Sequence, residues 1–172
     1  MVLVTRLEKS IQLALQVHLG QVDLGGNPYI LHPLRVLCRT EEIYRVKNLV
    51  DRESLLCSAV LHDVIEDAEK SIYYSEVKTF GENPKDHAAR SILRVAGDTT
   101  LKTVLSLSRE EGESWKHYIL RLNEYWAPRV IKIIDLADNA DRSRLKEYTD
   151  KDRQRDKMYL SAYAFLTTGS WK

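Results

Sequence analysis

The segment LHDVIEDA, Leu61 to Ala68, sets one imidazole and three carboxylates directly after the apolar run Leu55, Leu56, Ala59 and Val60. A charge taken out of water costs several kcal/mol unless it is paired or bound to a metal, so His62, Asp63, Glu66 and Asp67 require a partner. If the helix continues, Glu66 lies one turn beyond His62 and Asp67 one turn beyond Asp63, on the same face. The run RVIKIIDLADNA repeats the pattern: Asp135 sits among Val130, Ile131, Ile133, Ile134 and Leu136, with Asn139 one turn further on. His32, in YILHP, falls at a loop-to-helix junction where its ring can point inward. His32, His62, Asp63 and Asp135 make a mixed nitrogen and oxygen ligand set, suited to Mn²⁺, Fe²⁺ or Zn²⁺ more than to a thiolate-preferring ion.

Each residue has a plainer reading as well. A His-Asp pair can close a helix, Asp135 can pair with Lys132 or an arginine, and His18, His87 and His117 read as hydrogen-bonded structural residues rather than ligands. What favours a metal is that three separate segments deliver acid or imidazole into apolar surroundings. A divalent ion would activate water and neutralise phosphoryl charge, so hydrolysis would need no protein nucleophile. Glu66 or Asp67 would orient that water and pass its proton to the leaving oxygen. Lys132, Arg129 and Lys116 are the candidate cations beside the transferring group, each also readable as a structural or solvated charge.

The elements that must position these residues read as helices. Leu3, Leu7, Ile11, Ala14 and His18 share one face of an opening amphipathic helix that ends near Gly20, with His18 on its buried side. The loop LGGNPYILHP leads into a helix beginning about Pro33. Asp51 can cap RESLLCSAVLHD. Asn83, Pro84 and Gly97 cap, start and stop the helix within NPKDHAARSILRVAG. Ser114 can cap a further helix with the stripe Trp115, Tyr118, Ile119, Leu122, Tyr125 and Trp126. The segment from Pro128 is apolar almost all round and is expected at the centre of the fold. A charged-then-apolar segment ending in MYLSAYAFL closes the bundle. With no internal repeat and no long linker, the expectation is one compact all-α domain over residues 1–172.

The chain has 172 residues and a formal charge of +1, without the basic field of a nucleic-acid binder. Cys38 and Cys57 lack metal-type spacing and are expected to be reduced, buried packing residues. The N-terminal segment is interrupted by Arg6, Glu8 and Lys9, and no apolar run reaches membrane-spanning length. A soluble cytoplasmic protein is expected, with no membrane partner; Tyr73, Tyr74 and Trp126 are read as exposed aromatics that would allow a homo-oligomer surface.

The order HxGQ, GxPYIxHP, LHDxxED and KxxDxxxN resembles the HD-domain metal-dependent phosphohydrolases, specifically the hydrolase domain of RelA/SpoT-type alarmone enzymes and their small single-domain relatives. The motifs are His18 to Gln21, Gly26 to Pro33, Leu61 to Asp67 and Lys132 to Asn139. The resemblance implies a helical bundle of the HD type in which His32, His62, Asp63 and Asp135 hold the metal, usually manganese. It further implies that Glu66 and Asp67 are the catalytic pair and that Asn139 contacts substrate. A competing register would put Asp138 in the metal site; aligning Lys132 with the family's lysine retains both Asp135 and Asn139 and is preferred. The family cleaves the 3′-pyrophosphate of guanosine tetra- or pentaphosphate, and this chain has no room for the synthetase domain of the long enzymes, so a hydrolase alone is expected.

One segment departs from the family. Between Gln21 and Gly26, where the family usually carries Arg and Lys that hold the nucleotide, this chain reads Val22, Asp23, Leu24 and Gly25. That removes attraction for a polyphosphate and a guanidinium able to stack on a base. Arg109, Lys116 and Tyr118, within SREEGESWKHY, join Lys132 and Asn139 as the candidate substrate contacts. The leading expectation is a phosphohydrolase of a small nucleotide. The alternatives are the same site acting on another small phosphorylated substrate, such as a nucleoside monophosphate or the 2′-phosphate of a dinucleotide, and a non-catalytic nucleotide-binding regulatory module. The presence of both Glu66 and Asp67 argues against the last.

Overall fold

Helix periodicity dictates the architecture. A computed structural model describes residues 4–44, 51–75, 81–145 and 147–171. Eight α-helices occur among them: α1 Arg6–Val17, α2 Leu31–Tyr44, α3 Arg52–Leu61, α4 Pro84–Ala96, α5 Asp98–Leu107, α6 Trp115–Asn123, α7 Trp126–Asn139 and α8 Asp150–Thr168. Short 3₁₀ turns cover Ala68–Lys70 and Arg142–Arg144, and the only extended pairing among the described residues is an isolated bridge between Val22 and Pro28. The all-α expectation holds.

Local capping sets most of the boundaries. Asp51 accepts from the Ser54 N–H at 3.1 Å, Asn83 from the Lys85 N–H at 2.8 Å and Ser114 from the His117 N–H at 3.2 Å, each satisfying a donor the helix leaves unpaired. Gly97 ends α4 and precedes α5 with φ 88° and ψ 175°, a conformation open essentially to glycine alone. Gly97→Ala is therefore expected to destabilise the fold by about 1–3 kcal/mol, read as a lower urea midpoint at unchanged m-value.

Helix α3 occupies the centre: every residue from Ser54 to Leu61 is buried. Leu56, Cys57, Val60 and Leu61 belong to one apolar cluster with α1, α4 and α5, while Leu55 and Ala59 belong to a second with α2, α6, α7 and α8. The C-terminal end of α3, where His62 sits, thus lies where the two halves of the core join.

Several expectations are corrected. The central helix is α3 rather than the segment from Pro128; α7 buries one face, including Ile131, Ile134, Asp135 and Asp138, and leaves Ala137 exposed. The aromatic stripe after Ser114 is interrupted, because α6 ends at Asn123 and α7 begins at Trp126, so Tyr125 and Trp126 are exposed. Helix α2 starts at Leu31, two residues before Pro33. Cys38 is exposed, opposite the buried face of α2 that carries His32, Val36, Leu37 and Thr40, whereas Cys57 is buried as expected. Tyr74 is buried while Tyr73 remains exposed. Leu3 lies outside the described residues. No helix among the described residues is long and apolar enough to cross a membrane.

Candidate functional site

Of the two readings of the HD pair, closure of the helix holds and continuation through Glu66 and Asp67 does not. Helix α3 ends at Leu61 and residues 62–67 form successive turns. The His62 Nδ1–H donates to the Ala59 carbonyl at 2.8 Å, occupying an acceptor that a continuing helix would offer to the next turn. That bond also leaves the His62 Nε2 lone pair pointing away from α3.

Nε2 of His62 meets Nε2 of His32 at 3.2 Å. Asp135 Oδ1, delivered by α7, lies 3.1 Å from His32 Nε2 and 3.7 Å from His62 Nε2. Asp63 Oδ2 lies 3.0 Å from His62 Nε2 and 3.5 Å from His32 Nε2. Donors each about 2.1 Å from one ion are about 3.0–3.4 Å apart at ordinary coordination angles. The ligand atoms of His32, His62 and Asp135 all fall within 4.8 Å of one another, and all three residues are buried. This donor set fits a divalent cation in both chemistry and spacing, with Asp63 on its open side.

The surrounding bonds aim these donors. Asn139 Nδ2 donates to Asp135 Oδ1 at 2.6 Å, and Lys132 Nζ pairs with Asp135 Oδ2 at 2.8 Å. The Lys132 ion pair thus occupies Oδ2 of Asp135 and leaves Oδ1 toward the two imidazoles. Asp138, from the competing register, contacts His32 from behind: its Oδ2 is 2.9 Å from Nδ1. Tyr29 was not anticipated; its hydroxyl donates to Asp63 Oδ2 at 2.6 Å, and its ring lies 5.0 Å from that of His18. His18 in turn bonds Gln21 Oε1 through Nδ1 at 2.9 Å, so the HxGQ segment buttresses Tyr29.

The electrostatics follow from burial against opposite charge. Burial alone would lower the His32 pKa, but bonds to Asp135, Asp138 and Asp63 push it up to about 11. The same contest, with Asp63 and Asp135 as partners, brings His62 to about 9. Asp63 and Asp135 are held well below the usual carboxylate range; the facing imidazoles, and Lys132 for Asp135, outweigh desolvation. Without an ion the two histidines thus hold protons where the donor set converges.

Residues 29–143 match the HD domain family, two thirds of the chain. The chain belongs to the HD domain family. Among curated proteins, this HD domain is 29% identical over 136 residues to a guanosine-3′,5′-bis(diphosphate) 3′-pyrophosphohydrolase of Aquifex aeolicus, covering 78% of this chain and 17% of that protein. It is 36% identical over 80 residues to the bifunctional (p)ppGpp synthase/hydrolase SpoT of Escherichia coli, covering 46% of this chain and 10% of that protein. The chain therefore spans about a sixth or less of the length of these relatives. A solved structure described as a metazoan ortholog of SpoT that hydrolyzes ppGpp superposes with a TM-score of 0.71 at 16% identity, covering 99% of this chain and 90% of that one. That likeness confirms the fold.

The HD domain opens on a cleft of about 750 Å³ lined by Asp63, Glu66, Arg109, Tyr118, Lys132 and Asn139 among others. Glu66 is exposed to this cleft, and its carboxylate accepts from the Arg109 backbone N–H at 2.8 Å. Desolvation by the cleft wall, reinforced by Asp63, raises its pKa despite that bond. Lys132 Nζ lies 5.2 Å from the Tyr118 ring centroid and 5.7 Å from that of Trp115. The Tyr118 hydroxyl donates to the Leu107 carbonyl, so this residue presents its ring.

Other candidates are placed elsewhere. Asp67 is buried, pairs with Lys70 at 2.7 Å and approaches His18 at 3.8 Å, outside the cleft lining. Lys116 is exposed and does not line the cleft; Arg129 donates to the Leu166 carbonyl at 2.8 Å. Half-buried His87 pairs with Glu82 at 2.6 Å, a structural contact outside the cleft. Trp115 and Tyr159 line the cleft without having been singled out for substrate; a chain of aromatics at helical spacing reads as core, and only the tertiary fold shows which rings face a cavity.

Proposed function

We propose that this HD domain is a divalent-metal-dependent phosphohydrolase of a small nucleotide, with cleavage of a 3′-pyrophosphate from guanosine 3′,5′-bis(diphosphate) as the reaction the site supports best. The observation that carries it is the convergence of His32, His62, Asp63 and Asp135 at the base of a cleft whose wall presents Glu66. Those four residues would hold the ion, for which Mn²⁺ suits the nitrogen and oxygen donors. Bound there, it would supply Lewis acidity and a water of lowered pKa.

The chain's own groups account for the remaining work. Glu66, with its raised pKa, would accept a proton from water as the water oxygen bonds the phosphorus attached to O3′, and return it to the ribose 3′ oxygen as that P–O bond breaks, giving a 3′-hydroxyl and pyrophosphate. The Arg109 N–H fixes the orientation of that carboxylate. Lys132, supported by two aromatic rings and Asp135, places a fixed positive charge beside the phosphoryl groups. Asn139 holds Asp135 and lines the cleft. Asp67, turned toward Lys70, shapes the segment rather than handling the proton.

A second reading has an observation of its own. Asp23 accepts the N–H groups of Gly25 and Asn27, each at 2.9 Å, and shapes its loop, while Val22 and Leu24 are exposed. Glu69, Glu110 and Glu111 line the cleft, and Lys85 on the same lining pairs with Glu69 at 3.7 Å, making a highly charged anion less favourable. A neighbouring cavity of about 310 Å³ shares Tyr29, Asn139 and Tyr159 with the cleft and brings Arg142 and Arg155 to its wall, but both are already paired, with Asp156 and Asp152. A less highly charged phosphorylated nucleotide is therefore the alternative substrate.

Phosphate and pyrophosphate release by the Mn²⁺-loaded protein discriminates these readings, across guanosine tetraphosphate, nucleoside monophosphates, nucleoside triphosphates and a 2′-phosphorylated dinucleotide. Pyrophosphate from guanosine tetraphosphate supports the first; turnover of a less charged member alone moves the substrate; no turnover with metal bound contradicts both.

Proton linkage provides a separate check. Because His32 and His62 hold protons in the metal-free state at neutral pH, an incoming ion must displace them. Mn²⁺ affinity is expected to rise steadily from about pH 6 to about pH 9, with proton release measurable calorimetrically in buffers of different ionisation enthalpy. Affinity independent of pH would mean the ion binds elsewhere.

A further inference from the structure

We infer that Asp138 is a positioning residue of the metal centre, setting which nitrogen of His32 is offered to the ion; this rests on the metal reading above. Asp138 is fully buried on α7, one turn from Asp135. Its Oδ2 lies 2.9 Å from His32 Nδ1. Arg35 grips the same carboxylate as a fork, Nε to Oδ1 at 2.9 Å and Nη2 to Oδ2 at 3.0 Å, and Arg39 Nη1 approaches Oδ1 at 3.4 Å. His32, Arg35 and Arg39 follow one another at helical spacing on α2, so a single carboxylate on α7 receives donors from three residues of that helix.

The chemistry permits one arrangement. An ionised carboxylate accepts only, so Nδ1 of His32 must carry the hydrogen and Nε2 is directed at Asp135, Asp63 and His62. His62 receives the same instruction from a backbone carbonyl, that of Ala59, which no substitution of a side chain can remove. For His32 the instruction depends on a side chain 106 residues away in sequence. Arg35 and Arg39 both oppose the buried charge, so Asp138 stays ionised with either one in place. Asp135 and Asp138 therefore divide the work on one imidazole, the first on the ion side and the second behind it.

The test is the Mn²⁺ dissociation constant, followed by the paramagnetic resonance signal of free Mn²⁺, with thermal melts of the metal-free proteins as the control for folding. Asp138→Asn retains shape but can present its amide N–H₂ to Nδ1 and so admit the wrong tautomer; binding is expected to weaken about 10–100-fold. Arg35→Gln removes the fork between α2 and α7 but leaves the carboxylate on Nδ1; it is expected to lower the melting temperature and to change the dissociation constant less than about threefold. If Asp138→Asn does not fold, Asp138→Leu removes the buried charge and repeats the measurement. Unchanged Mn²⁺ affinity in Asp138→Asn, or equal weakening in both variants, would reduce Asp138 to a helix clamp and overturn the inference. A wild-type protein that fails to bind Mn²⁺ would instead overturn the metal reading itself.

Discussion

Glu66→Gln is expected to bind a divalent ion as tightly as the wild type and to lose turnover by about 10²–10⁴-fold, the usual contribution of a positioned acid–base group. The substitution is nearly isosteric, and glutamine retains an oxygen for the Arg109 N–H, so the wall of the cleft keeps its shape. What disappears is the capacity to take and return a proton, for which the raised pKa of Glu66 suits it. The informative result is the split between metal binding and turnover. A Glu66→Gln protein with undiminished turnover would remove Glu66 from the chemistry; one that also loses the ion would move it among the ligands.

His62→Ala is expected to lose the ion and the activity together. Its Nε2 lies within 3.7 Å of Asp63, His32 and Asp135, and among the described residues no further His, Cys, Asp or Glu joins the group of His32, His62 and Asp135 to replace it. Removal of the ring also opens a hole at the junction of the two halves of the core, so the metal-free melting temperature should fall as well. Metal content after dialysis, measured alongside turnover, checks this. A metal-free His62→Ala protein that still hydrolyses substrate would contradict the role assigned to the ion.

Much of this molecule was legible in its sequence because the signals involved are local. Asp51, Asn83 and Ser114 cap their helices through bonds spanning two or three residues, and the helical spacing of Ala14 with His18, and of Tyr118, Ile119 and Leu122, reflects which face is buried. His32, His62 and Asp135 stood out because buried polar groups need partners, and the fold brings these three together. The sequence left open whether α3 closes at the HD pair or runs on to Asp67. Val64, Ile65 and Ala68 continue the apolar pattern, and the break comes from the His62 side chain competing for the Ala59 carbonyl. Asp67 and Glu66 consequently diverge instead of stacking one turn beyond the HD pair.

The remaining misses are long-range. Tyr29 reaches Asp63 across 34 residues and Asp138 reaches His32 across 106, distances over which periodicity carries no information. Lys116 and Lys132 both read as cations near aromatic residues; only the packing of α6 against α7 shows that Lys132 faces the cleft and Lys116 faces solvent. The Val22–Gly25 loop was legible as a loss of cations, whereas the use of Asp23 to shape its own loop through the Gly25 and Asn27 N–H groups emerges only in the folded turn.

The most direct test of the central claim is product analysis of guanosine tetraphosphate incubated with the Mn²⁺-loaded protein, run beside a chelator-treated sample. The account predicts guanosine 5′-diphosphate and pyrophosphate in equal amounts, with both products absent after chelation and restored by added Mn²⁺. Product formation that persists without the ion, or phosphate released singly from the 5′ side, would contradict it.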